Sequence, residues 1–579
     1  MRKRVIADLS LAAFAVLLVP TGAAAPCLAD DGRAWVATGR QGMVAADSPH
    51  ASRAGLEILQ AGGNAVDAAA AVSFALAVAR PQSTGLGGGG FMIIRLAKDD
   101  EVVVLDYRET APASAAPDMF RDALTGGGKR APTIRYGFLA AAVPGVVAGQ
   151  GEAVRCYGTL SLKRLLAPAI TLAERGFEAD RSYVKAARKT LNAYRKHPEL
   201  IDSCGYVYRV HLRSGRLPGV GDLVVQPELG RLFRAIAAQG PDVFYRGEVA
   251  DAIERAMLAN GGRMIKADLA SYRVVRRRPI RSTYRGHELL LMPLPSAGGV
   301  CIVQTLNILE RFDMPQLLRT DPNLATHYCL EAMKHAFADR AGWMGDPDFV
   351  SVPVEFLTGK AYARKLAEKI KPGRVTDLEA YGSAALPDDA GTSHFCVVDR
   401  WGNCVAATET INTTFGAFAA VDEWGLILNN EMDDFATRPG EPNAFDLMQS
   451  ERNAVAPGKR PLSSMSPTIV LKDGNPVLLV GGSGGPRIIS GVLNVLLGVL
   501  DAGRSLPEAV EAGRVHHQWK PDRVFFDGPA PEPLAGYLKS VGHQVSDRPR
   551  SAAVQAILIE DGKLIGVSDP RKGGRPVGH

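Results

Sequence analysis

Cysteine is scarce in this 579-residue sequence: Cys27, Cys156, Cys204, Cys301, Cys329, Cys396 and Cys404 are scattered and odd in number. Their spacing offers neither a disulfide framework nor a paired metal motif, so buried free thiols are the natural reading. One-sided charge is missing too. The 67 basic and 61 acidic residues leave a mild +6. The densest basic run, Arg276-Arg277-Arg278 with Arg273 and Arg281 beside it, lacks the long stripe and interleaved aromatics of a nucleic-acid surface and reads as a solvated strand or loop edge. Past the N-terminus no apolar run is long enough to span a bilayer; Ala65–Ala79 is short and carries Asp67 and Ser73, as a buried helix would. No internal repeat is visible. Histidines at the three- or four-residue spacing of a helical metal site are absent, and the adjacent His516-His517 pair diverges, which suits a structural role. A serine-hydrolase elbow is discounted at Gly482-Ser483-Gly484, read as lacking the full frame, and at Pro295-Ser296-Ala297-Gly298.

What is present begins with Arg2, Lys3 and Arg4, the apolar run Leu9–Val19, Pro20, and the small residues Gly22–Ala25. That order reads as an export leader over 1–24. Pro26 disfavours a cut just before it and is the wrong neighbour for a lipid-anchored Cys27. The expected product is soluble and periplasmic or secreted. Beyond it, Met43–Ala46 predicts a short strand. A helix capped by Ser48 runs to Leu59 and stops at Gly62-Gly63, and an Ala-rich helix runs from Asn64 to about Arg80-Pro81. Phe91–Leu96 and Val102–Tyr107 predict strands. Residues 114–290 read as mostly helical, with loops at Thr125–Gly128 and Arg216–Gly221, and 323–370 as helical. Lys371–Thr392 has no periodicity and reads as an exposed linker of the kind that is cut. After it come the strand Ser393–Asp399, a turn at Arg400–Asn403 and the strand Cys404–Ile411; then the pair Ser466–Leu471 and Pro476–Val480, a glycine stretch Gly481–Gly485, and a buried helix Pro486–Ala502. Paired strands among helices indicate layered α/β architecture.

Gly85–Gly90 satisfies G-x-G-x-x-G, but the helix precedes it and the strand follows. Dinucleotide binding needs the opposite order, so close backbone approach to another group is the better reading. At Gly391-Thr392-Ser393-His394-Phe395-Cys396 a hydroxyl residue stands where an irregular linker turns into a strand. This segment resembles the processing site of γ-glutamyltransferases, and the resemblance runs from about Gly42 to Arg571. It is carried in order by Gly62–Ala69, Gly85–Phe91, Leu105–Pro112, Val143–Gly145, Pro295–Gly299, Asn412–Gly416, Asn429–Phe435, Arg460–Pro467, Gly484-Gly485 and Ser568–Arg571. Gly391, Ser393 and Cys396 depart from the residues often found there, and Ser393 adds a second hydroxyl beside Thr392.

The resemblance implies an N-terminal nucleophile hydrolase fold, a four-layer αββα sandwich formed jointly by two subunits of one precursor: 25–391, ending in the processing linker, and 392–579, the catalytic part. Thr392 Oγ would attack the Gly391 carbonyl and, after hydrolysis, carry a free α-amine that serves as its own base. Thr410 would orient it. The N–H groups of Gly484 and Gly485 would hold the oxyanion. Arg108, with Ser463 and Ser464, would take the α-carboxylate of a γ-glutamyl group; Glu431 and Asp434, assisted by Asn412, would take its ammonium. Pro439–Arg452, with Phe445, resembles a lid. No cofactor, metal or nucleic-acid partner is implied. The expected substrates are glutathione and other γ-glutamyl compounds, with amino acids or dipeptides as acceptors. A cephalosporin or glutaryl-type acylase on the same fold, and a non-processing binding protein, are the alternatives; Arg108, Ser463 and Ser464 speak against the first and an intact Thr392 against the second.

Overall fold

Alternation along the strands sets the layering. Met43 and Ala45 belong to one apolar cluster while Val44 and Ala46 belong to another; Cys396 and Val398 part from Phe395 and Val397, and Phe91 and Ile93 from Met92 and Ile94, in the same way. Successive side chains leave a strand on opposite faces, so a sheet with apolar residues at every position is covered on both sides. The computed structural model describes residues 33–120, 134–381, 392–436, 448–547, 549 and 552–579. Its main strands, in chain order, are Val36–Gly39 (β1), Met43–Ala46 (β2), Gly89–Leu96 (β3), Glu101–Tyr107 (β4), Val275–Arg277 (β5), Ile280–Tyr284 (β6), His287–Leu291 (β7), Ser393–Val398 (β8), Cys404–Thr410 (β9), Thr468–Lys472 (β10), Asn475–Ser483 (β11), Ala553–Glu560 (β12), Lys563–Ser568 (β13) and Val577–Gly578 (β14). They form two seven-stranded sheets in the orders β1-β13-β12-β11-β10-β7-β6 and β14-β2-β8-β9-β3-β4-β5. The pairings within both are antiparallel. The sheets meet face to face where β8 and β9 cross β11.

Helices cover the outer faces. Pro49–Gln60 (α1), Ala65–Ala79 (α2), Val146–Tyr157 (α3), Leu162–Arg175 (α4) and Arg181–Lys196 (α5) lie on the side of the second sheet; Gly298–Leu309 (α6), Pro322–Trp343 (α7) and Arg487–Leu500 (α8) lie on the side of the first. The alanines of α2 let α1 come close: a Cβ on Gly55 would sit 2.6 Å from Val72. Asn64 caps α2 through its side chain, accepting from Val66 and Asp67 N–H while Asp67 returns a bond to the Asn64 N–H, a closed box. Ser48 occupies the cap of α1 without a side-chain bond. The result is the four-layer αββα sandwich that the resemblance implies.

Three expectations change. Residues 275–291 form strands rather than helix; β5 and β6 are sheet edges, where charged side chains such as Arg276 and Arg281 keep the edge from pairing with another chain. Gly481, Gly482 and Ser483 continue β11 instead of ending it. The stretch 371–381 is tied down: His327 bonds the Lys371 carbonyl (2.7 Å), Thr376 N–H and Tyr381 O–H both donate to Glu331, and Val375 N–H donates to the Val541 carbonyl (2.9 Å). The leader, the Thr125–Gly128 loop and Phe445 lie outside the described residues.

Candidate active site

Antiparallel register carries Thr392 to Thr410. Ser393 faces Glu409 and His394 faces Thr408 across β8 and β9, so the residue before Ser393 faces the last residue of β9. Their Oγ atoms lie 3.4 Å apart, both residues buried. Thr410 Oγ also accepts the Asn412 N–H at 2.8 Å. The glycine loop fixes the other side of this strand end, since a Cβ on Gly88 would stand 1.9 Å from the Thr410 carbonyl oxygen. That is the close approach expected of Gly85–Gly90, and no phosphate site is needed to explain it.

His394 lies between the sheets. Its Nδ1 meets Thr408 Oγ at 2.8 Å, and a Cβ on Gly481 of β11 would collide with the ring at 2.2 Å. Burial pushes its pKa down to about 3, so the ring is neutral. Past Gly481, β11 ends at Ser483 and is followed by Gly484 (φ 132°) and Gly485 (φ 59°), conformations that favour glycine, with Pro486 leading into α8. Residues 481–485 do spell G-x-S-x-G, contrary to the expectation from sequence, yet Ser483 Oγ takes its bond from Lys572 Nζ (3.1 Å) rather than from a histidine.

Arg108 follows directly on β4 and is buried. Its guanidinium reaches Glu431 (2.8 Å), Asp434 (2.6 Å) and Glu109 (3.3 Å), and Nε donates to the Pro461 carbonyl (3.3 Å). The cation and the two carboxylates that the resemblance assigns to opposite ends of a head group thus pair with one another. Three carboxylates around one cation carry excess negative charge in a desolvated place. Burial, opposed by Arg108, holds Glu431 well above the carboxylate range, raises Asp434 and pushes Glu109 up to about 7. Asn412, in a left-handed conformation (φ 72°), donates through Nδ2 to the Asn430 carbonyl at 3.0 Å. Ser463 Oγ accepts the Met465 N–H (3.2 Å), whereas Ser464 Oγ is buried without a partner.

Arg108, Thr392, Thr410, Asn412, Glu431, Asp434, Ser463, Ser464 and Gly485 line one small cavity of about 30 Å³. Gly484 lines a wider neighbouring cavity, and Thr392 belongs to both. Gly391 lies outside the described residues. Two further residues stand at the site without having been singled out. Glu109 lies inside the Leu105–Pro112 segment, and its carboxyl would meet a Cβ on Gly89 at 2.6 Å. Lys572 directly follows Ser568–Arg571; it donates to the Thr392 carbonyl and pairs with Asp47 at 2.5 Å, and burial lowers its pKa. Membership of a quoted motif was the available signal for Glu109, and adjacency to one for Lys572. Among the described residues, His327, Glu331 and His543 bring potential metal ligands within 4.8 Å of one another. Two of the three are already engaged by protein groups, His327 through Nδ1 with His543 Nε2 (2.9 Å) and through Nε2 with the Lys371 carbonyl (2.7 Å), and Glu331 with Lys334 (3.0 Å), Thr376 and Tyr381.

A four-layer sandwich with a hydroxyl residue at the head of a central strand defines an N-terminal nucleophile hydrolase. Residues 51–579 match the family described as Gamma-glutamyltranspeptidase. The chain belongs to that family and is an enzyme. It is 43% identical over 536 residues to a glutathione hydrolase proenzyme of Escherichia coli strain K12, covering 92% of this chain and 90% of that one. It is 40% identical over 548 residues to an acylase ACY 1 proenzyme of Pseudomonas sp. strain SE83, with 93% and 94% covered. Among solved structures it resembles a cephalosporin acylase from Bacillus halodurans, with a TM-score of 0.84, 28% identity and coverage of 97% of this chain and 99% of that one.

Proposed function

We propose that this chain is the precursor of a glutathione hydrolase that cuts itself before Thr392 and then transfers γ-glutamyl groups to water, amino acids or dipeptides. The observation that carries the reading is the juxtaposition of Thr392 and Thr410 with the Arg108–Glu431–Asp434 cluster in one cavity. Once freed, the Thr392 α-amine has a reference pKa of about 7.7–8.0, so an appreciable fraction is neutral near pH 7 and accepts the Oγ proton as Oγ attacks the γ-amide carbon. The tetrahedral oxyanion is received by the N–H groups of Gly484 and Gly485, the amine leaves, and water or an acceptor amine releases the acyl group from Oγ.

Recognition follows from charge. A γ-glutamyl head group brings a carboxylate and an ammonium, so it exchanges for the internal pairs: its carboxylate takes the Arg108 fork with Ser463 and Ser464, and its ammonium takes Asp434 and Glu431, with Asn412 assisting. An acylase acting on a glutaryl chain needs no acidic cluster, and three buried carboxylates beside Arg108 favour a substrate with an ammonium. No described helix is long and apolar enough to cross a membrane; with the leader read from 1–24, the enzyme acts in the periplasm or outside the cell. Purified protein assayed on γ-glutamyl and glutaryl amides, with and without glycylglycine, tests the reading. Preference for the γ-glutamyl amide and loss of all turnover in Thr392→Ala are expected; preference for the glutaryl amide overturns it in favour of the acylase.

A further inference from the structure

The helix α5 carries six cations, Arg181, Lys185, Arg188, Lys189, Arg195 and Lys196, and no acidic residue. The net charge of the whole chain is +6, so this one helix holds as much positive charge as the entire sequence has in excess. The helical repeat sorts these residues. At about 100° per residue the six fall within an arc of roughly 120°, and all six are exposed. The opposite side is formed by Tyr183, Ala187, Thr190, Leu191 and Tyr194, which are buried. The result is a ridge of positive charge about 22 Å long.

An exposed helix ordinarily mixes signs. Glu248–Ala259 does so, with Glu248, Asp251, Glu254 and Arg255. Exposed arginines elsewhere find carboxylates, Arg234 with Glu174 (2.6 Å), Arg246 with Asp242 (2.6 Å) and Arg255 with Glu423 (2.8 Å). None of the six cations of α5 pairs with a carboxylate among the described residues. Arg181 and Lys185, like Lys185 and Lys189, stand four apart, where like charges repel. Arg181 also opens the helix, at the end where the backbone dipole disfavours a cation. The fold bears these costs without an internal partner, which points to an external one.

The composition of the ridge selects that partner. Tyr183 and Tyr194 are buried, so no ring of this helix is free to stack on a base of single-stranded nucleic acid. Between the cations stands only Asn192. A charged ridge with no apolar anchor suits a surface of many fixed anionic groups better than a pocket on a folded protein. We propose that α5 docks the enzyme on an anionic lipid bilayer, with its cations against the headgroup phosphates and no insertion into the hydrocarbon. A chain exported by the leader read over 1–24 meets such surfaces. Lys185 and Lys189, at one edge of the ridge, also line the wider cavity that reaches Thr392, so docking holds that cavity beside the membrane. Arg181, Arg188 and Arg195, spaced seven apart, form the other edge and are not part of its lining.

Co-sedimentation of the mature enzyme with lipid vesicles tests the proposal. Vesicles of phosphatidylcholine alone are compared with vesicles that also contain phosphatidylglycerol, at ionic strengths from about 0.01 to 1 M, over which the Debye length falls from about 30 to 3 Å. Binding to the anionic vesicles alone, lost at high salt, is expected. Arg181→Gln/Arg188→Gln/Arg195→Gln should weaken it roughly 100-fold, about fivefold per charge, with self-cleavage and turnover in solution unchanged. The same number of charges removed elsewhere, in Arg234→Gln/Arg246→Gln/Arg255→Gln, should leave it within about twofold. Equal losses in the two triple variants would reduce the effect to net charge and overturn the assignment. Equal binding to the neutral vesicles would overturn it too, as would duplex DNA or polyaspartate that binds more tightly than the anionic vesicles do. If the first triple variant is not processed, Arg188→Gln/Arg195→Gln decides in its place, with an expected loss of about 25-fold.

Discussion

At the scale of single residues, charge and burial decide the chemistry. Arg108 is buried and answers three carboxylates. Lysine at that position keeps one positive charge but loses the planar fork that addresses two partners at once. Arg108→Lys is expected to lower kcat/KM for γ-glutamyl substrates by about 100-fold, or ~2.8 kcal/mol, with self-cleavage intact; steady-state kinetics on the purified two-piece protein checks this, and near-wild-type values remove Arg108 from the recognition site. The glycines at Gly88 and Gly481 were legible as glycines but not as neighbours. Only folding brings Gly88 against the Thr410 carbonyl and Gly481 against His394. The same limit applies to Arg108 and Asp434, which are 326 positions apart in the chain: each residue could be named from its motif, but their mutual pairing could not.

At the scale of elements, α7 acts as a buried polar seam. His327, Glu331, Lys334 and His335 on that helix meet His517, Asp522 and His543 from the C-terminal part, together with Tyr381 and the Lys371 carbonyl. Trp519 N–H donates to His517 Nδ1 (3.0 Å), which leaves Nε2 to face Asp522 at 3.2 Å. Burial lowers His327 and takes His335 and His517 to about 4 and His543 to about 2, against an ordinary 6.5. Depressed folded-state values mean that the unfolded chain binds these protons first. The stabilisation is present above pH 6.5 and is lost as pH falls through the folded-state values, by about 1.4 kcal/mol per pH unit for each group. Buried carboxylates such as Glu409, raised to about 7 by burial, pull the other way and lose stability as pH rises. The informative quantity is therefore a difference. Urea midpoints at pH 7.5 and 5.0 should separate less in His517→Gln, which can keep both hydrogen bonds without titrating, than in wild type; equal separations would show that His517 does not titrate with unfolding. This seam was not legible beforehand, because α7 has no apolar stripe from which a buried face could be read and the stretch 371–381, polar and aperiodic, passes for a linker.

At the scale of the whole molecule, the proposed cut runs through both sheets without separating them. Residues before Gly391 supply β1 to β7, and residues from Thr392 onward supply β8 to β14. Ladders cross the division at β2–β8, β9–β3, β2–β14, β1–β13 and β10–β7. The two pieces share one core and should stay together after processing: they are expected to co-elute in native size-exclusion chromatography and to separate only in denaturant, whereas elution as two species without denaturant would show that the sheets do not hold them. Layered α/β architecture and the order of the central strands' partners differ in how far sequence reaches. Sequence reading identified β2, β3, β8 and β9 as strands and joined β8 to β9 through a turn, but the pairing of β2 with β8 and of β3 with β9 links residues hundreds of positions apart and was not legible.

The claim on which all of this turns is that Thr392 becomes a chain terminus and then an acyl carrier. Edman sequencing of the smaller piece from purified wild-type protein tests it most directly, followed by mapping of the covalent adduct after a brief exposure to glutathione. The expected readout is Thr-Ser-His-Phe, with a γ-glutamyl ester on that first residue, and an uncut chain for Thr392→Ala. A piece beginning at Ser393, or full activity in a chain that stays whole, would contradict it.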